Sequence, residues 1–172
     1  MHLRRGWSLW VALVLCASGC RTPESRVNRP SETGGITGAW RSQIQFETGA
    51  FAAIKDLEFM IVFNRGGTMT ESSNYDGAPP VPPAYGAWSR VSSRRFVAKY
   101  AFYSTKPPGS FDEIAQSGGW MPAGHGELTE RITLSKDGKT YASTLTYAGF
   151  DASGRPIAGG GTGRGSGRRL FQ

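Results

Sequence analysis

The chain has 172 residues, a net charge of +7, 24 glycines and only two cysteines. Both cysteines, Cys16 and Cys20, fall in the first twenty residues, so a domain beginning beyond them has neither a disulfide nor a thiolate metal site. The cationic residues are scattered, with no nucleic-acid recognition motif beside them, which points to solubility and attraction to anionic lipid or glycan rather than to nucleic acid.

Residues 1–19 combine Arg4 and Arg5 with an apolar run from Trp7 to Ala17 and a small-residue approach to Cys20, the pattern of an export signal. The run is shorter than the about 20 residues that a membrane-spanning helix needs. Ala17-Ser18-Gly19-Cys20 resembles the bacterial lipobox, which implies lipidation of Cys20, and Arg21 after it implies sorting to the outer membrane. Residues 20–35 are polar with two prolines and read as a tether, long enough at about 3.3 Å per residue to reach roughly 50 Å. Residues 36–172 then form one domain, long enough for its own hydrophobic core.

Within that domain, period-two alternation predicts eight strands and no long helix. Trp40, Ile44 and Phe46 share a face of the first, at 36–46; Leu57, Phe59, Ile61 and Phe63 share a face of the second. The third covers 67–73, the fourth 84–91 and the fifth 94–104, with Phe96, Ala98, Tyr100 and Phe102 on one face. Leu128, Ile132 and Leu134 line the sixth, Lys136-Asp137-Gly138 turns the chain, and Tyr141, Leu145 and Tyr147 line the seventh. In the eighth, Gly159, Gly161, Gly163, Gly165 and Gly167 fall on every second position, leaving a bare face that Trp40, a loop or a ligand is expected to fill. Connections after strands one, three and five are long (47–56, 74–84 and 104–124) and those after two, four and six are tight. An up-and-down order therefore gathers the long loops at one rim.

Few residues suggest chemistry. Outside the signal, His125 is the one histidine; it reads as an exposed loop residue rather than a haem ligand, and no catalytic set, metal site or cofactor is assigned. Glu130 shares the parity of Leu128 and Ile132, where a lone carboxylate is costly unless paired. Arg90 and Arg169 are its partners by parity, and a bulge turning it outward is the other solution. Asp112 and Glu113 read as solvated charges in a short helical turn. Trp88, Tyr100, Phe102, Glu130, Tyr141 and Tyr147 are candidate cavity-lining residues, and Tyr75, Trp120 and Met121 are candidate rim contacts.

Gly38-Ala39-Trp40 opening the first strand and Arg169 closing the last resemble the signature of the lipocalins, or more broadly the calycins. The resemblance implies an all-β, eight-stranded antiparallel up-and-down barrel whose tryptophan packs across the closed end beneath the arginine. The segments FNRGGTMTES, YGAWSR, RRFVAKYAFY, ITLSKDGKTY and GTGRGSGRRL are similar to uncharacterised bacterial lipocalin-like domains, which implies the fold and no established activity. ITGAWRSQ also resembles the opening strand of avidins, but Arg41 to Gln45 replace the start of their biotin loop, so biotin binding is not carried over. The expectation is a non-enzymatic lipoprotein, anchored in the outer membrane and facing the periplasm, that holds a small apolar or amphipathic molecule. The alternative is an envelope interaction module with a filled core and no ligand.

Overall fold

The computed structural model describes residues 35–77, 81–117 and 119–171. The signal segment 1–19, Cys20, the tether up to residue 34 and Pro79 and Pro80 of the proline run lie outside the described residues. Eight strands follow in order: β1 (Gly38–Phe46), β2 (Glu58–Phe63), β3 (Thr68–Ser73), β4 (Ala84–Arg90), β5 (Arg95–Lys106), β6 (Met121–Leu134), β7 (Thr140–Phe150) and β8 (Pro156–Arg169). One short helix, α1 (Phe111–Ser117), lies between β5 and β6. Each strand pairs antiparallel with the next, and β8 returns to β1, with Trp40 opposite Arg169 and Phe46 opposite Gly163. The protein is a closed up-and-down barrel, an architecture without exposed strand edges.

Parity builds the core. Alternate residues of each strand point inward, so Trp40 and Ile44 meet Ile61 and Phe63, Phe96, Ile132 and Leu134, and Leu145, all at most 1% exposed. The bare face of β8 is filled by neighbours. A Cβ on Gly167 would lie 2.2 Å from the Tyr141 ring, one on Gly165 would lie 2.9 Å from Ile44 Cδ1, and one on Gly161 would lie 2.1 Å from the Thr48 carbonyl oxygen. The filling is therefore Tyr141, Ile44 and the β1–β2 loop; Trp40 sits one pair further along, against Arg169.

Arg169 closes the end at which the chain enters. Its guanidinium carbon lies 4.5 Å from the Trp40 ring centroid, and its nitrogens donate to the carbonyls of Gly138 at 2.8 Å, Thr37 at 2.9 Å and Gly35 at 2.5 Å. Gly38, at a φ of 127° that side chains rarely adopt, leaves the space: a Cβ there would stand 2.9 Å from Arg169 Nη1. Trp40 Nε1 donates to the Ile36 carbonyl at 2.7 Å. Trp88, from the second Gly-Ala-Trp, also belongs to this end, donating to Asn64 O at 3.0 Å and meeting Phe63 and Phe96 edge-on.

The sixth strand is longer than the sequence predicts. The expected loop 104–124 shrinks from both sides, since β5 runs on to Lys106 and β6 begins at Met121, pairing Tyr103 with His125 and Lys106 with Met121 across a register shift at Ser104/Thr105. His125 is therefore a strand residue. Its ring stacks on Phe150 of β7 at 4.8 Å and 9°, a cross-strand contact available only because both strands extend this far.

Removing the Trp40 ring is expected to cost about 3–5 kcal/mol, the range for a large core aromatic. Arg169→Lys is expected to cost about 1–2 kcal/mol, because an ammonium cannot reach three diverging carbonyls and also cover the ring. Urea titrations of both variants measure this; an Arg169→Lys protein as stable as wild type would show that the closed end does not depend on the guanidinium fork.

Candidate functional site

The barrel is packed solid at the closed end and opens at the other into a cavity of about 250 Å³. Its apolar walls include residues from five strands and one loop: Phe46 from β1, Phe51, Ile54 and Leu57 from the β1–β2 connection, Ala84 from β4, Phe102 from β5, Leu128 from β6 and Tyr147 from β7. Phe51 lies 5.5 Å from Phe46 and 4.8 Å from Tyr147, and Phe102 stacks on Tyr147 at 6.2 Å. The loop is fastened to β8, with Glu47 N donating to Thr162 O at 2.8 Å and Ala50 N to Gly159 O at 2.9 Å. At the rim, Tyr75 donates to Asp56 at 2.6 Å, joining the β3–β4 connection to this loop, and Asp76 accepts from the Ser73 amide and hydroxyl at 2.7 and 2.8 Å.

Two carboxyls stand beneath these rings. Glu71 of β3 shares the inward face of Met69, flanked by Ile61 on β2 and Ala84 on β4. It is 5% exposed, lines the cavity, and its Oε1 has no hydrogen-bond partner. Glu130 of β6 is fully buried; Tyr100 donates to its Oε2 at 3.3 Å, while its Oε1 is unpartnered. Among the described residues neither acid is joined by a cation. The arginines that share Glu130's parity are engaged at the closed end: Arg169 on Trp40 and three carbonyls, Arg90 5.0 Å from the Phe96 ring centroid and on Ser93 O. The β6 ladder runs without irregularity through Glu130, so no bulge turns it outward.

An unpaired carboxylate in such surroundings is expensive, and both groups respond by holding their protons. Burial raises Glu130 to about 7, opposed by the Ser143 and Tyr100 hydroxyls; the Ser143 oxygen lies close to the carboxyl without closing a well-formed hydrogen bond. Glu71 is raised well above the usual carboxylate range, first by burial and then by the charges of Asp76 and Glu130. Burial likewise raises Tyr100 and Tyr141 well above the ordinary phenol value. Tyr141 shares a hydrogen bond with Ser42 of β1, so the polar layer spans β1, β3, β5, β6 and β7.

Of the candidate lining residues, Phe102 and Tyr147 reach the cavity. Tyr100, Glu130 and Tyr141 lie in the packed layer, and Trp88 caps the closed end. Tyr75 reaches the rim; Trp120 is 45% exposed on the β5–β6 connection, and Met121 begins β6 half-buried. Just before α1, Ser110 Oγ accepts from Glu113 N at 3.2 Å as the helix N-cap, and Glu113 accepts from Gly109 N at 2.5 Å. Glu71 and Phe51 escape the sequence pattern. The signal for Glu71 is its parity with Met69 in the otherwise polar Thr68–Ser73 strand.

No family model matches the chain, and no curated protein or solved structure matches it. The closed antiparallel barrel of eight strands is consistent with a lipocalin-like fold.

The raised carboxyls fix a pH dependence. A folded-state value above the unfolded one means that the native protein binds the proton more tightly, so stability is greatest below the unfolded value of about 4.5 and falls as pH rises toward 7. For Glu130 alone the loss approaches about 3 kcal/mol. Urea titrations between those limits are expected to show wild type weakening with pH and Glu130→Gln declining less, by the share of Glu130, with the contribution of Glu71 remaining; equal slopes in the two proteins would contradict a raised Glu130.

Proposed function

We propose that this chain is a lipid-anchored barrel of the bacterial envelope, related to the lipocalin-like (calycin) domains, that holds a small apolar or amphipathic molecule in its mouth cavity and does not transform it. The observation that carries the reading is the cavity itself, walled by Phe46, Phe51, Ile54, Leu57, Phe102, Leu128 and Tyr147. Its volume of about 250 Å³ falls just below the usual span of ligand pockets, about 300–1,000 Å³, which suits a one- or two-ring molecule. The Trp40–Arg169 stack supports the kinship. Lipidation of Cys20 would place the anchor on the N-terminal side of β1, the side of the closed end, with the mouth facing the aqueous compartment.

The other reading, an interaction module with a filled core, draws on the solid packing below the mouth, where Trp40, Phe63 and Phe96 are at most 1% exposed. Native mass spectrometry of protein released from the membranes of its own host separates the two. The binding reading predicts a chain that begins at an acylated Cys20 and carries a small adduct. Ala84→Phe, which drives a ring into the cavity from β4, is expected to lose the adduct and to weaken indole binding at least about tenfold in calorimetry. An adduct-free native protein that also ignores indole would overturn the binding reading, and a product with an unprocessed N-terminus would overturn the anchor.

A further inference from the structure

The carboxyl at the floor of the cavity narrows the chemistry of what enters, an inference that rests on the binding reading above. Glu71 is 5% exposed and its Oε1 faces no hydrogen-bond donor. Folded proteins seldom leave such an atom orphaned without a use for it. Thr105 Oγ1, on β5 one strand beyond β4, is also buried without a partner, and Asp76 adds a second carboxyl at the rim. The space thus has acidic oxygens at its floor and rim, and aromatic rings around its waist.

An anion would be repelled by Glu71 and Asp76. A metal ion needs several hard ligands, and the described residues contain no group of three or more acidic, histidine or cysteine side chains able to hold one. An organic ammonium satisfies every part: its N–H groups donate to carboxylate and hydroxyl oxygens, its charge is attracted to the ring faces of Phe46, Phe51, Phe102 and Tyr147, and its apolar body fills the remaining volume. The geometry points to a cationic amine on a compact apolar or aromatic body as the occupant of the mouth cavity, with Glu71 as its counter-ion.

Protons enter this equilibrium. The groups facing Glu71 are Ile61 on β2, Ala84 on β4, Tyr100 on β5, Glu130 on β6, Tyr141 on β7 and Asp76 on the β3–β4 connection; among the described residues none of these is cationic. Burial, and then the neighbouring acids, raise Glu71 well above the usual carboxylate range, so wherever it carries its proton an arriving ammonium must displace it. Affinity therefore rises with pH until the amine itself deprotonates near about 10, as a lysine does.

Calorimetry of the full chain with three indoles of nearly equal size tests this: tryptamine (cation), tryptophol (neutral) and indole-3-propionate (anion). Tryptamine is expected to bind at least about tenfold tighter than tryptophol at about pH 7.5, with the anion weakest, and to gain about tenfold between about pH 5.5 and 8. Glu71→Gln, which keeps the shape and removes the charge, is expected to erase the preference and its pH dependence while leaving tryptophol unchanged. Asp76→Asn is expected to change tryptamine binding by about threefold at most. Tryptophol binding as tightly as tryptamine, or a preference that survives Glu71→Gln, overturns the amine assignment and leaves the cavity reading standing. Failure of all three indoles to bind overturns the amine assignment, and together with an adduct-free native protein it overturns the cavity reading as well.

Discussion

A closed barrel dictates that every second residue of every strand faces an interior that water hardly enters, and in this protein two of those residues, Glu71 and Glu130, are buried glutamates with no cation beside them among the described residues. The rest of the arrangement follows from that constraint. Glu130 remains buried because it keeps its proton and accepts one from Tyr100. Burial, and then Asp76 and Glu130, oppose the ionisation of Glu71. Tyr141 meets its own hydroxyl need with Ser42, over Gly167 of the intervening β8. The resulting layer is polar, and its two carboxyls resist ionisation. It divides a packed base from an open mouth.

That division has a backbone cause as well. The glycine face of β8 admits Tyr141 and Ile44 low in the barrel, and higher up it admits the main chain of the β1–β2 loop at Thr48. Folding the loop inward carries Phe51 and Ile54 to the mouth, where they complete the apolar wall begun by Phe46, Phe102 and Tyr147. At the other end Arg169 draws three carbonyls together over Trp40, so the barrel has one sealed end and one end shaped by loops.

Alternation made the strands, the inward set and the grouping of long connections legible, because a period of two is a local property. It also placed Glu130 inside, since Leu128 and Ile132 flank it on the same face. Its partner was not legible. Parity admits Arg90 and Arg169 as readily as Tyr100, and only the height of each residue along tilted strands decides among them. Glu71 was hidden for the opposite reason: Thr68–Ser73 offers a single large apolar residue, Met69, too little contrast to mark an inward face. His125 read as a loop residue because Met121 to Gly126 combine proline and glycines, yet the extended β5 and β7 supply ladder partners on both sides.

The central claim is that burial raises both interior carboxyls well above the ordinary range, leaving Glu71 a place for a cation that the described residues do not provide. Carbon-13 NMR titration of the glutamate side-chain carboxyls in the ligand-free protein observes it directly, with Glu71→Gln and Glu130→Gln proteins assigning the two signals. The account predicts two carboxyls that titrate far above the others, Glu130 near about 7 and Glu71 well above the ordinary value of 4.5. Both signals titrating with the exposed glutamates would contradict it.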